Sequence, residues 1–195
     1  MPADGSPGSV SVLLAGPPAH DGTSRPQLRQ LLGSARSAAL DELLMGRAQA
    51  WALQVAPGRV TIGAGDDLGG AVRASFDAHG GPVLVVWPDL PRWRPEHASG
   101  ALEDLGAGCD LSLGPVFDGG FYLLALARPL PALFTLAADA WRGPDAMTLA
   151  LEAVNQAGLQ VGLLRAERGL RRSADVRAAL ADPLLDDELA ALLSG

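Results

Sequence analysis

The chain has 195 residues and contains no lysine, so all fifteen of its Lys/Arg cations are arginines. A P-loop is excluded, because its Gly-Lys-Ser/Thr segment has no counterpart. There is one cysteine, Cys109, so no disulfide framework can form within the chain. Cys109 precedes an apolar run and reads as a small buried hydrophobe. No apolar run approaches the roughly 20 residues that a membrane-spanning helix needs, so a membrane partner is not expected. Positive charge is in deficit, with a net charge of −7. An acidic chain repels phosphate backbones, which argues against nucleic acid as a partner. It does not argue against a small nucleotide, which needs only one local pocket. The three histidines, His20, His79 and His97, lack metal-ligand spacing with a cysteine or another histidine. Neither a Gly-x-Ser-x-Gly elbow nor a Gly-x-Gly-x-x-Gly turn occurs.

Apolar residues make up 48% of the chain and aromatic residues 5%, which suits an Ala/Leu/Val-rich α/β domain with a real core. Residues 1–8 carry no basic and no apolar signal region and read as a short disordered leader. Residues 9–195 read as one domain, and the cytoplasm is the default location. Ser9–Ala15 is an aliphatic run and reads as a strand. Gly16–Pro26 is a loop. Ser34–Gln54 places Leu40, Leu43, Leu44, Ala48 and Trp51 at helical spacing and reads as a long helix. Arg59–Ala64 is a second strand, followed by a helix to His79 that Asp67 is placed to cap. Pro82–Trp87 is a continuous apolar run, as expected of a strand covered on both faces. Pro95–Gly106 is a helix, Asp110–Leu113 and Phe121–Ala127 are strands, and Asp145–Ala157 is a helix. Leu159–Leu164 is a strand, and Ser173–Leu180 and Asp186–Leu193 are helices. Alternation of this kind predicts a three-layer α/β/α sandwich with a mainly parallel sheet. The four tryptophans are scattered and read as packing or interface residues, and exposed ones would suit a homodimer.

Ligands of open α/β sheets bind beyond the carboxyl ends of the strands, and three candidate segments fall there. Asp89 follows the strand Pro82–Trp87, where a carboxylate can hold a divalent cation that bridges phosphates. It reads equally well as a turn aspartate between prolines. Asp118-Gly119-Gly120 combines a carboxylate with backbone that a ligand can approach closely. Asp-Gly between two strands is also a strong hairpin signal. The loop from Gly16 through Pro17 to Arg25 offers glycine, hydroxyls and one cation to phosphates, and reads as well as a solvated surface loop.

The run Gly114-Pro115-Val116-Phe117-Asp118-Gly119-Gly120-Phe121-Tyr122-Leu123-Leu124-Ala125-Leu126 resembles the Gly-Pro-x-x-Asp-Gly-Gly-Tyr-Tyr-Leu-x-Gly-Leu pattern of a bacterial family of glycosyltransferases of the arsenosugar-biosynthesis type. Asp67-Leu68-Gly69 is similar to that family's Gly-Asp-Leu-Gly helix start, and Pro88-Asp89-Leu90-Pro91 to its Gly-Ser-Asp-x-Pro. The resemblance covers roughly Ser11 to Leu180. It implies the nucleotide-diphospho-sugar transferase (glycosyltransferase A, Rossmann-like) fold and kinship with guanylyltransferases. It further implies glycosyl transfer from a nucleotide-activated sugar, with nucleotidyl transfer or a catalytically degenerate binding protein as alternatives. On this reading Asp89 holds Mg²⁺ or Mn²⁺. Gly16, Pro17, Arg25, Asp67, Leu68 and Gly69 line the nucleotide. Pro115, Asp118, Gly119 and Gly120 contact sugar or acceptor, with Asp118 as the catalytic carboxylate.

Two departures stand out. The family's lysine-rich first loop is here Gly16–Arg25, without lysine. Its late Asp-x-Asp-Thr-x-x-Asp segment is here Gly169-Leu170-Arg171-Arg172-Ser173-Ala174-Asp175, with Arg171 at the central carboxylate. A divalent ion prefers two or more protein oxygens, so the expected metal site is degenerate. An arginine there could either replace the ion's charge or block it.

Overall fold

The apolar runs Ser11–Leu14 (β1) and Val83–Val86 (β3) are buried at every residue, as a strand covered on both faces requires. They belong to a computed structural model that describes residues 9–16, 25–63, 67–135, 141 and 143–194. The expected leader 1–8 and Pro17 lie outside the described residues. The remaining strands are Val60–Ile62 (β2), Leu111–Pro115 (β4), Phe121–Leu126 (β5) and Val161–Leu163 (β6). The helices are Pro26–Leu32 (α1), Ser34–Val55 (α2), Leu68–His79 (α3), Pro95–Gly106 (α4), Ala146–Gln156 (α5), Ser173–Leu180 (α6) and Asp187–Ser194 (α7), with a 3-10 turn at Pro131–Thr135.

The described strands form one sheet in the order β2-β1-β3-β5-β4-β6. β1 runs parallel to β2 and β3, and β4 parallel to β6. β5 alone is reversed, pairing antiparallel with both β3 and β4. The fold is therefore the expected mainly parallel α/β type with flanking helices.

Alternation along the strands builds two cores. Leu13, Val83, Val85 and Leu124 pack with Val72 of α3 and Ala150 of α5. Val12, Leu14, Leu84 and Val86 pack with Ala48 and Trp51 of α2 and Ala98 of α4. A third cluster joins Leu28 of α1, Leu40 and Leu44 of α2, Leu170, Val176 of α6 and Leu189 of α7. It brings the chain's last third back onto α1 and the start of α2.

The reversed strand determines where the site forms. The carboxyl ends of β1, β3 and β4 lie at one edge of the sheet, and so does the amino end of β5. The β4–β5 turn and the segment after β3 are therefore neighbours, and Trp87 N donates to Tyr122 O across them (3.0 Å).

Two details refine the sequence reading, the first by bearing out tryptophan packing and the second by correcting the placement of Cys109. Trp51, Trp87 and Trp141 are buried and Trp93 is partly buried, so these rings serve packing. Trp87 stacks on Trp141 at 6.3 Å between centroids, and Trp51 lies 4.7 Å from Trp93. Cys109 is half-buried, because it sits in the turn that precedes β4 rather than inside the strand. Among the described residues no helix is long and apolar enough to cross a membrane.

Candidate functional site

Asp89 sits two residues beyond Trp87, in the turn that follows β3. Its backbone is fixed at both ends: its N–H donates to Trp87 O (2.8 Å), and Leu170 N donates to Asp89 O (2.8 Å). The carboxylate is 1% exposed. Burying a charge is costly unless it is paired and hydrogen-bonded, and Asp89 is paired with arginine. Arg25 Nη2 donates to its Oδ1 (2.6 Å), and Arg171 Nε lies 3.7 Å from its Oδ2.

Arg25 is turned inward, with 4% of its side chain exposed. Nη1 pairs with Asp41 of α2, which is equally buried. Nε donates to Leu170 O (2.9 Å), and Nη2 also reaches Pro88 O (3.1 Å). One guanidinium thus ties α2, the turn after β3 and the segment before α6. The planar fork of arginine suits this multiple pairing better than a lysine ammonium would.

The second half of the site is the β4–β5 turn. Val116 N donates to Gly120 O (2.9 Å) and Gly119 N to Val116 O (3.1 Å), closing a hairpin with an irregular register at Gly114/Pro115. The hairpin expected of Asp118-Gly119 is therefore present, and Arg171 links its carboxylate to Asp89. Gly119 has φ +95°, and a Cβ there would overlap the Pro144 carbonyl oxygen. Only glycine meets both demands. Met147 N donates to Gly119 O (2.9 Å), docking the turn on the start of α5. A Cβ on Gly120 would come within 2.6 Å of Arg171 Nη1, so the missing side chain leaves room for that guanidinium.

Asp118 is 14% exposed and accepts from Arg171 Nη1 (3.1 Å), with Arg172 Nη2 at 3.8 Å from its other oxygen. Asp175 holds the backbone of both arginines. Its Oδ2 accepts from Arg171 N (3.2 Å) and Arg172 N (2.9 Å) at the start of α6. Arg171 is thus fixed at its backbone, and its head lies between Asp89 and Asp118.

The other expected residues among those described are held by separate contacts. Gly16 follows β1, and a Cβ there would meet Met45 and Pro88 at ordinary contact distances of 3.5 and 3.6 Å. Pro115 ends β4, and its carbonyl accepts from Glu167 N (3.0 Å). Asp67 caps α3 as expected, accepting from Gly70 N (2.7 Å). Leu68 is buried, and Gly69 packs on Phe134. A cavity of about 200 Å³ opens there, lined among others by Asp67, Gly69, Arg73, Pro129 and Phe134. The rings of Phe134, Trp141, Trp87 and Phe121 form a continuous aromatic path from α3 to the end of β3 and the start of β5.

Beyond Leu90 and Leu170 lies another cavity, of about 230 Å³, lined among others by Arg94, Glu167, Arg168 and Asp182. Arg94 pairs with Glu167, and His97 Nε2 lies 3.5 Å from the same carboxylate. Burial holds the His97 pKa below its ordinary value against the opposing pull of Glu167. Burial, aided by Glu167, pushes the Tyr122 phenol up to about 12, so it stays protonated. Its hydroxyl donates to Arg165 O (3.3 Å).

The metal ion implied by the resemblance can be tested on these residues. A hard divalent cation takes several oxygen ligands and keeps waters or phosphates in the rest of its shell. The Asp89 carboxylate faces two guanidinium groups, and a cation would have to displace one of them. No group of three or more His, Cys, Asp or Glu side chains suited to a metal occurs among the described residues. The donor set around Asp89 does not fit a divalent ion.

Asp41 escaped the sequence reading altogether, and Arg172 and Asp175 entered it only as neighbours of Arg171 in the late segment. Asp41 had a usable signal, since it lies on the apolar stripe of α2, three residues before Leu44 and one after Leu40. A lone carboxylate in that position needs a buried partner.

A sequence comparison with curated proteins finds no match. The fold matches the crystal structure of a protein from Desulfovibrio desulfuricans G20 described as a "putative nucleotide-diphospho-sugar transferase", with TM-score 0.67 and 18% identity. The match covers 96% of this chain and 94% of that one, so the likeness is one of whole architecture. At the level of sequence a family model matches residues 31–139, more than half of the chain. The chain belongs to that family, whose description reads "Uncharacterized protein conserved in bacteria (DUF2064)".

Proposed function

We propose that the protein transfers a glycosyl group from a nucleotide-activated sugar, with the donor's diphosphate lying at the strand ends beside Arg171 and Arg172. The observation that carries this reading is the convergence of Asp89 and Asp118 on one guanidinium. They come from different segments and meet Arg171 from a third. Such a cluster has the parts that leaving-group stabilisation needs, namely fixed cations beside backbone that a ligand can approach. Gly16, Pro17 and the Asp67–Gly69 helix start serve the nucleoside. Pro115, Gly119 and Gly120 serve the sugar. Arg25 acts through Asp89, which it holds in place. In the transfer, the bond between sugar C1 and the phosphate oxygen breaks, and its electron pair stays on the diphosphate. The acceptor's nucleophilic atom bonds to C1 and gives its proton to a carboxylate, for which Asp118 is the partly exposed candidate. The match of Gly114–Leu126 to the glycosyltransferase pattern favours glycosyl over nucleotidyl transfer.

The test is thermal unfolding with GDP, UDP, CDP, ADP and their sugars. A ligand that binds only the folded state at a hundredfold excess over its Kd stabilises by about 2.7 kcal/mol. For a chain of this size that is a rise of roughly 5–11 °C. One base should give that rise, and Arg172→Gln, which removes a cation beside the diphosphate, should reduce it. No rise with any nucleotide would refute the reading.

One observation favours a second reading, a binding protein without turnover. Asp89 is wholly buried and ion-paired, so its oxygens are committed. The two readings separate on release of nucleoside diphosphate from the stabilising donor. Release in the presence of acceptor supports transfer, and binding without release supports the second reading.

A further inference from the structure

Arg171 occupies an unusual position for a cation in an active-site cleft. Its Nη1 contacts Asp118 at 3.1 Å and its Nε lies 3.7 Å from Asp89. One guanidinium therefore bridges two carboxylates from the strand ends, as a divalent ion does in a two-carboxylate site. Three further features hold it there. Asp175, 5% exposed, accepts from the Arg171 backbone. Gly120 has no Cβ to obstruct the guanidinium. Arg25 holds Asp89 from its other side.

The charges around this bridge balance. Arg25, Arg171 and Arg172 face Asp41, Asp89 and Asp118. A divalent ion added to this set would need the arginines to leave. A diphosphate needs only to compete with Asp118 for Arg171 and Arg172, the more exposed members at 14% and 44%. Arginine pairs with phosphate through parallel charge-assisted hydrogen bonds. We infer that Arg171 takes the place of the divalent cation, so that the site binds the diphosphate of a nucleotide ligand without metal, with Arg172 as its second cation.

The inference rests on the nucleotide reading above, and its test separates the two. The nucleoside diphosphate that stabilises the protein most is titrated calorimetrically in excess EDTA and in excess Mn²⁺. Mn²⁺ binding alone is followed by electron paramagnetic resonance. The proteins compared are wild type, Arg171→Gln and Arg171→Asp, each checked for its unfolding transition. Wild type should bind equally in EDTA and Mn²⁺, and should not bind Mn²⁺ by itself. Arg171→Gln should weaken nucleotide binding by about 10- to 100-fold, the loss expected for one or two charge-assisted hydrogen bonds. Arg171→Asp should gain Mn²⁺ binding, because it joins Asp89 and Asp118 as a third carboxylate. Metal-dependent nucleotide binding by wild type would overturn the inference. So would unchanged affinity in a folded Arg171→Gln, or Mn²⁺ binding by wild type that Asp89→Asn abolishes. If no nucleotide binds wild type at all, the nucleotide reading and this inference both fail. Should Arg171→Asp not fold, Arg171→Gln and the wild-type metal titration decide the matter.

Discussion

Replacing Arg25 by methionine keeps most of the side chain's volume and removes its charge. In the wild type this guanidinium faces two carboxylates, Asp41 at 4% and Asp89 at 1% exposure. It also faces the carbonyls of Leu170 and Pro88. Removing one partner of a buried ion pair costs about 3–5 kcal/mol, because the remaining charge is left buried and uncompensated. Here two carboxylates lose a partner at once, and Asp89 keeps only Arg171 among the contacts described above. Arg25→Met should therefore lose about 3–5 kcal/mol, a large share of the roughly 5–15 kcal/mol that holds a domain folded. For about 200 residues this lowers the melting temperature by roughly 6–20 °C. The assay is urea unfolding at neutral pH, with Asp41→Asn measured in the Arg25→Met background. If the penalty is the orphaned carboxylate, Asp41→Asn should restore part of the loss in that background and destabilise wild type. That sign reversal is the coupling a double-mutant cycle isolates. A loss below about 1 kcal/mol, the size of an exposed pair, would refute the claim that Arg25 is a buried structural clamp.

Three more outcomes follow from single residues. Gly119→Ala combines a positive φ with overlap of the Pro144 carbonyl oxygen, so it should cost about 2–5 kcal/mol in denaturant unfolding. Gly120→Ala would meet Arg171 Nη1 at 2.6 Å, with Val116 Cγ2 at an ordinary 3.5 Å. It should cost about 0.5–3 kcal/mol and also weaken nucleotide binding, which calorimetric titration of the folded variant checks. His97 has a pKa lowered by burial and faces Glu167, Arg94, Tyr122 and Trp93. Below about pH 6.5 the unfolded chain takes up a proton that the folded one resists. Wild-type stability should therefore fall with pH from about 6.5 down through the lowered pKa, by at most about 1.4 kcal/mol per unit from this group. Urea titrations in that window should show a shallower slope for His97→Gln, and parallel slopes would contradict the assignment.

Local chemistry made much of this fold legible. Pro95 and Gly106 bound α4 where Pro favours a helix start, and Asp67 caps α3 through Gly70 N. The unbroken run Val83–Val86 announced a doubly covered strand. By contrast, α1 was not legible, because its seven residues bury only Leu28 and Leu32, too few to show a period. Asp89 and Asp118 could be placed at strand ends, but their meeting depends on β5 being inserted antiparallel between β3 and β4. Nothing local encodes that pairing. Arg25 read as a cation on a phosphate loop because a sequence gives no direction to a side chain. Its inward turn is set by Asp41, on α2, and by Asp89, 64 residues away. The same holds for Arg171, visible in sequence as a departure but not as a bridge.

The central claim is that a nucleotide diphosphate seats at the strand ends beside Arg171 and the Asp118–Gly120 turn. A crystal structure with the most stabilising nucleoside diphosphate tests it most directly. The account predicts phosphate oxygens within hydrogen-bonding distance of Arg171 and Arg172, over Gly119 and Gly120. A nucleotide lodged instead in the cavity lined by Arg94, Glu167 and Arg168, with the Arg171–Asp118 pair undisturbed, would contradict it.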